Sequence, residues 1–390
     1  MIKGTFKMKK TLAALAVLGA FAGTAAAADV TLYGLVDYGF NYQHVDGDAK
    51  DVDANDTFKM MSGQNSGSRF GLKGVEDLGN GLKVGFVLEN GFNADDGTLG
   101  NGGRLFGRES QLYLEGNFGT VSFGRVGQLV SANGTFGLMG GASPFSGGWQ
   151  DSVGAKFLQG SSWDRFDNTI TYKTPTFGGA NVYAQYSFDT DSKIDDGGVE
   201  GKASVNRYYA VGATFKTQNL YLVGVVDSTN YSNIIYDTDN LDDQINVTLG
   251  GAYDFQFMKV YAQAQYFMNS VSAGYKSAKD QDSTIGGAYS FKDVEGADGF
   301  GIALGVGVPA FGGQAKAQVG YMTAEANQDS THGKPEVDRW NISVGYDYAL
   351  SKRTSVYTAA AYTKDSMKNW DATDRDPQTV EVMAGMIHKF

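Results

Sequence analysis

Three histidines, no cysteine and a thin set of arginines limit the chemistry open to this chain of 390 residues. Acyl transfer needs a nucleophile beside an oriented base, yet His44, His332 and His388 lie far apart in the chain with no nucleophile motif next to any of them. Zinc would draw on the same scarce ligands, so neither an enzyme, a metal centre nor a cofactor is expected. What remains is electrostatics. Arg69 and Lys73 are four residues apart in Arg69-Phe70-Gly71-Leu72-Lys73, so an extended chain puts both cations on one face and Phe70 and Leu72 on the other. Arg165 stands in phase with Thr169 and Thr171, opposite Phe166, Ile170 and Tyr172. Cations fixed along a strand can attract and sort charged solutes without reacting with them.

The elements that must hold these cations are strands. Period-2 runs recur along the chain, among them Leu82, Val84, Phe86 and Leu88; Ile245, Val247 and Leu249; and Trp340, Ile342, Val344 and Tyr346. The first of them, from residue 30, sets Val30, Leu32, Val36, Tyr38, Phe40 and Tyr42 against Thr31, Tyr33, Asp37 and Asn41. Beyond the first 28 residues nothing approaches the ~20 consecutive apolar residues of a membrane helix. Strands with one apolar and one polar face, and aromatics near their ends, suit a sheet closed on itself in a bilayer around a polar lumen. The last strand alternates through Val380, Val382, Ala384, Met386 and His388 and stops on Phe390, the residue expected to close the barrel on its first strand.

Connections alternate in size. Short ones fall at 77–81, 117–119, 174–179, 217–219, 256–258, 309–313 and 349–353, and long polar ones at 43–67, 126–164, 189–204, 228–243, 268–299, 322–338 and 363–379. Tight hairpins on one rim and long loops on the other predict an all-β transmembrane antiparallel barrel of about sixteen strands, with both termini on the short-turn side. The stretch 268–299 contains Ile285, Tyr289 and Phe291 and leaves eighteen strands open.

Lys9 and Lys10, an apolar run from Leu12 to Ala22 and Ala26-Ala27-Ala28 before Asp29 describe a signal peptide cut after Ala28. The expected organisation is therefore a leader at 1–28 and one barrel domain at 29–390. The whole chain carries a net charge of −11, and loss of the leader lysines makes it more negative, so nucleic acid is not an expected partner. Asp189, Asp191, Asp195, Asp196 and Glu200 crowd one outer loop, and Asp237, Asp239, Asp242 and Asp243 the next. Such groups either bridge divalent cations to lipopolysaccharide phosphates or, as charge runs usually do, keep a solvated mouth wet.

The opening Asp29-Val30-Thr31-Leu32-Tyr33-Gly34, the segment Ser68-Arg69-Phe70-Gly71-Leu72-Lys73-Gly74, the run from Gly116 to Arg125 and the ending Gly385-Met386-Ile387-His388-Lys389-Phe390 resemble the general diffusion porins of Gram-negative bacteria, of the Neisseria and Burkholderia type. The resemblance covers the mature chain. It implies a homotrimer of water-filled barrels in the outer membrane, in contact with its lipid and lipopolysaccharide, each narrowed by a third long loop that folds inward. Here that loop is 126–164, with Gly134, Gly137, Gly140, Gly141, Gly147 and Gly148 for tight bends and Phe136, Leu138, Met139, Phe145 and Trp149 to pack on an inner wall. Arg69, Arg125 and Arg165 occupy positions like the basic cluster of the porin wall, with Lys73 a fourth member nearer the turn. Strict alternation from Val121 and Phe123 would turn Arg125 to lipid, and a bulge at Gly124 would turn it back. The facing acid is Asp151, more weakly Asp164, and that sparse acidic side tilts the expected selectivity toward anions. Glu89, Glu109 and Glu115 fall on lumen phases and oppose the tilt.

The expected function is passive passage of ions and small hydrophilic solutes through water. Two alternatives stay open: a sugar-type specific channel lined by Tyr183, Tyr261, Gln185, Gln263 and Gln265, and a surface adhesin or receptor using Tyr231, Asn233, Tyr236 and Tyr275.

Overall fold

The computed structural model describes residues 30–48, 53–149, 152–154, 158–193, 197–233, 241–273, 291–370 and 372–390. The expected leader, 1–28, lies outside them. The strands are β1 (Thr31–Asp46), β2 (Asn55–Ser62), β3 (Arg69–Gly79), β4 (Leu82–Gly91), β5 (Glu109–Gly116), β6 (Gly119–Gly127), β7 (Arg165–Lys173), β8 (Ala180–Ser187) and β9 (Arg207–Lys216). They continue as β10 (Leu220–Asn230), β11 (Gln244–Asp254), β12 (Lys259–Met268), β13 (Ala297–Ala310), β14 (Gly313–Ala326), β15 (Glu336–Ala349), β16 (Thr354–Lys368) and β17 (Gln378–Lys389).

From β3 onward each strand pairs antiparallel with the next. The last, β17, returns to β1 with Leu35 opposite Lys389 and Asp46 opposite Gln378. The other edge of β1 is shared: β2 covers Tyr38 to Val45 and β3 covers Thr31 to Leu35. β2 and β3 are thus two halves of one strand interrupted by residues 63–68, and the closed barrel has sixteen positions. The expected loop at 43–67 is corrected here, because much of it is the β1–β2 hairpin. The stretch 268–299 adds no strand among the described residues before β13, only a 3-10 turn at Phe291–Val294.

Alternation explains which side chains meet lipid. On β15, Trp340, Ile342 and Val344 are exposed while Arg339, Asn341 and Ser343 between them are buried. On β1, Phe40 and Tyr42 face out and Asp37, Asn41 and Gln43 face in. No described helix is long and apolar enough to cross a membrane. The wall is uneven, since β5 to β8 have eight or nine residues and β13 to β16 have fourteen or fifteen.

The hydrophobic core lies inside the barrel, where the third long loop, 128–164, is pressed on the wall. Leu129, Val130, Phe136, Leu138 and Met139 pack on Tyr183, Tyr208, Ala210, Val223 and Val225. Phe145, Trp149 and Val153 pack on Tyr357, Ala359 and Met383 across the lumen. Leu158 packs on Phe267, Ala303 and Met322 on the way back. Glycines on the inner wall make the fit possible: a Cβ at Gly305 would stand 2.7 Å from Pro144, at Gly345 2.8 Å from Phe145, and at Gly250 2.8 Å from Ala142 and Met139.

Candidate functional site

The loop leaves the sheet at β6 and is clamped by polar side chains of the wall. Gln185 Oε1 accepts the amide of Leu129 (3.2 Å), Gln265 Oε1 accepts that of Gly160 (2.7 Å), and Gln159 donates to Gln263 (3.0 Å). Farther round, Glu381 accepts the amide of Ser152 (2.9 Å) and Ser343 Oγ that of Gly154 (3.1 Å). The glutamines expected to line a sugar path are therefore used to hold the loop, and Tyr183 is buried beneath it. These contacts fix the loop along β8 to β17, while near its start Asn133 and Thr135 are bonded to β7 and β5 of the wall that faces it.

On that wall Glu89 of β4 is the centre of a basic group. Its carboxylate accepts Arg108 Nε (2.7 Å) and the Tyr33 hydroxyl (3.1 Å), and lies 3.9 Å from the Arg69 guanidinium. Arg165 stands within electrostatic range of Arg108, Arg69 and Glu89, and donates to Asn133 Oδ1 of the loop (3.1 Å). Two guanidinium groups thus lie against one carboxylate, with Arg165, which Asp164 also faces, in longer electrostatic range. Glu109 stands in electrostatic range of Glu89 and Tyr33, and accepts the amide of Thr135 (3.1 Å) and the Gln111 side-chain amide (2.5 Å). Arg69 Nε donates to Gly67 O (2.8 Å) and its Nη2 to Ser66 Oγ (2.9 Å), both in the interruption between β2 and β3. Lys73 lies one step down the wall with its ammonium 5.2 Å from the centre of the Tyr33 ring.

One expected residue stands elsewhere. The register between β6 and β7 slips between Gly124 and Val126, with Gly124 at φ 128°, so a bulge does interrupt the phase at Arg125. Arg125 nevertheless does not join the Glu89 group: it donates to Asp167 (2.6 Å) and to Gly107 O (2.8 Å). Asp167 also accepts Arg104 (3.0 Å) and the Ser192 amide and hydroxyl (3.1 and 3.0 Å), and Arg104 reaches Asp191 as well. This network ties the loop before β5 to the loop after β8. Burial raises the neighbouring Asp189 carboxyl above its ordinary range, although the Asp191 amide donates to it (3.2 Å). Asp151, expected to face the arginines, lies outside the described residues. Asp164 accepts the amide of Arg165 (2.7 Å).

Arg108 and Arg104 were not legible as site residues. Both precede β5 in a Gly-rich connection, where no phase argument applies, and only the sequence Gly107-Arg108-Glu109 next to a lumen-phase acid hinted at them. At the rim, Phe390 exchanges both backbone hydrogen bonds with Gly34 (3.0 and 3.2 Å), and its ring covers Gly34.

A closed sixteen-position barrel with a lipid-facing apolar surface, a polar interior and an inward loop is a transmembrane channel. Residues 13–368 match the Gram-negative porin family. The chain is 31% identical to an outer membrane porin protein of Bordetella pertussis, over 98% of this chain and all of the relative, and 28% identical over the same share to major outer membrane protein P.IB of Neisseria sicca. An anion-selective porin from Comamonas acidovorans superposes with a TM-score of 0.65 at 26% identity, covering 93% of this chain and all of that one. The chain belongs to the Gram-negative porin family. It is an outer-membrane β-barrel that forms a general diffusion channel.

Proposed function

We propose that Arg69, Arg108 and Arg165 form the selectivity site of this channel and give it a preference for anions, with Lys73 extending the positive wall. The observation that carries this reading is the imbalance around Glu89, which has Arg108 at 2.7 Å and Arg69 at 3.9 Å, with Arg165 in longer electrostatic range beside Asp164. In a narrow lumen with a low-dielectric wall, uncompensated charge is not fully screened, so it lowers the barrier for anions and raises it for cations. The loop 128–164 sets the size limit. The site assigns no covalent reaction to the protein, and the mature chain follows removal of residues 1–28. Replacement of Arg69, Arg108 and Arg165 together by glutamine should move the zero-current potential in a KCl gradient toward cation preference. An unchanged potential sinks the reading.

The working unit is a homotrimer embedded in outer-membrane lipid and lipopolysaccharide. Support comes from β2, which among the described strands pairs with β1 only, and whose Phe58 is 73% exposed. A strand edge in hydrocarbon needs cover. If this edge meets a neighbouring subunit, Phe58→Lys should yield monomers on native electrophoresis. Intact trimers would place the interface elsewhere.

A further inference from the structure

We infer that Asp37, a fully buried carboxylate of β1, is the positioning residue that sets Arg69 in the passage. This rests on the reading of Arg69 as a selectivity cation. Arg69 does not reach its place by strand alternation alone. Both of its close hydrogen bonds, to Gly67 O (2.8 Å) and Ser66 Oγ (2.9 Å), are made to the interruption 63–68, so the guanidinium goes where that segment goes.

Most of the hydrogen bonds of the segment run to one residue, with the Phe92 amide on Ser68 O (3.1 Å) and the Asn65 side chain on Asp347 (3.5 Å) as further ties. Asp37 Oδ2 accepts the amides of Asn65 (2.9 Å) and Ser66 (2.7 Å). The Asp37 carbonyl accepts the amide of Gly63 (2.9 Å) and the Ser68 hydroxyl (3.1 Å), and the Asp37 amide donates to Ser68 Oγ (3.0 Å). Both ends and the middle of the interruption are thus tied to a single position on β1. The second carboxylate oxygen accepts the Tyr357 hydroxyl (2.6 Å), and the Tyr357 ring stands 5.5 Å from that of Trp149 in the inward loop. The same carboxylate therefore touches the support of the arginine and, through one aromatic pair, the opposite rim of the opening. Charge-assisted bonds to two successive amides are the strong kind, and leaving those amides buried without an acceptor is costly.

The assignment makes an unusual sign prediction. A negative charge close to the passage, acting only through its field, opposes anions, so its removal should increase anion preference. A carboxylate that positions Arg69 does the reverse: its removal frees the segment and anion preference falls.

The test is the zero-current potential of the full-length protein in planar bilayers under a KCl gradient, for Arg69→Gln, Asp37→Ala and Ser66→Ala. Ser66→Ala keeps the Asp37 charge and removes only the hydroxyl that holds the guanidinium. The expected result is that Asp37→Ala reduces the chloride-over-potassium ratio to that of Arg69→Gln, that the double variant goes no lower, and that Ser66→Ala shifts the ratio the same way by less. An unchanged or increased ratio in Asp37→Ala while Arg69→Gln lowers it overturns the positioning role. If Asp37→Ala does not assemble, Ser66→Ala decides, and an unchanged ratio there overturns it. A ratio unmoved by Arg69→Gln itself removes instead the selectivity reading on which the inference stands.

Discussion

The carbonyl oxygen of Leu158 lies so close over Gly301 that it leaves no room for a Cβ at that position, and the Leu158 side chain meets Gly320 in the same way. The inward loop is seated on β13 and β14 by the absence of two side chains. Gly301→Ala should therefore lift the loop from the wall there. Overpacking of this kind costs about 1–3 kcal/mol, a small share of the stability of a closed barrel. The expected outcome is a barrel that still assembles but passes larger sugars in liposome swelling. An unaltered size limit would show that another part of the loop controls it.

Glu89 opposes the arginines beside it. Glu89→Gln should raise anion preference and Arg108→Gln should lower it. One unit charge about 8 Å from the ion path, at an effective dielectric of about 40, is worth about 1 kcal/mol for each ion with opposite sign for anion and cation, so about 2 kcal/mol or roughly thirtyfold in a permeability ratio. Single-channel recordings in a salt gradient measure both signs. Equal shifts in one direction would place the two groups outside the ion path.

Arg104 ties two outer loops through Asp167 and Asp191. Arg104→Ala should expose the chain after β8 to proteolysis in intact cells, while the temperature at which the barrel unfolds in detergent changes little. A partly buried charge-assisted network of this size contributes about 1–3 kcal/mol locally. Unchanged nicking would mean that the loop is held by other contacts.

Deletion of Phe390 removes two backbone hydrogen bonds and the ring over Gly34. A cost of about 2–3 kcal/mol follows from the two bonds and partial burial of the ring. Assembly into membranes should slow and the heat-stable form should melt earlier on electrophoresis. Wild-type kinetics would separate barrel closure from the terminal aromatic.

Most of the wall could be read from sequence because lipid on one side and water on the other force alternation, as in Trp340, Arg339 and Ile342. β2 escaped that reading. Phe58-Lys59-Met60-Met61 breaks the simple pattern, and its pairing with β1 is lost to view when residues 63–68 interrupt the strand. The site was half legible. Arg69 and Lys73 follow from phase, whereas before Asn168, in a left-handed conformation at φ 48°, the count fails for β7, and Phe166 packs edge-to-face on buried Tyr208 rather than facing lipid. Arg108 reaches Glu89 from a connection, and the pairing of Arg125 with Asp167 depends on a bulge. The glycines under the loop looked like ordinary strand glycines until their partner was known. Gln185 and Gln265 read as lining because nothing local marks a side chain that is spoken for by a backbone 56 or 105 residues away.

A loop bonded to the wall from Leu129 to Ser161 behaves as masonry rather than as a door. Ions crossing such an aperture wait for no hinge, so their throughput is governed by their own mobility in water. Warming the bath should then raise the current only as steeply as it raises the conductivity of the free electrolyte.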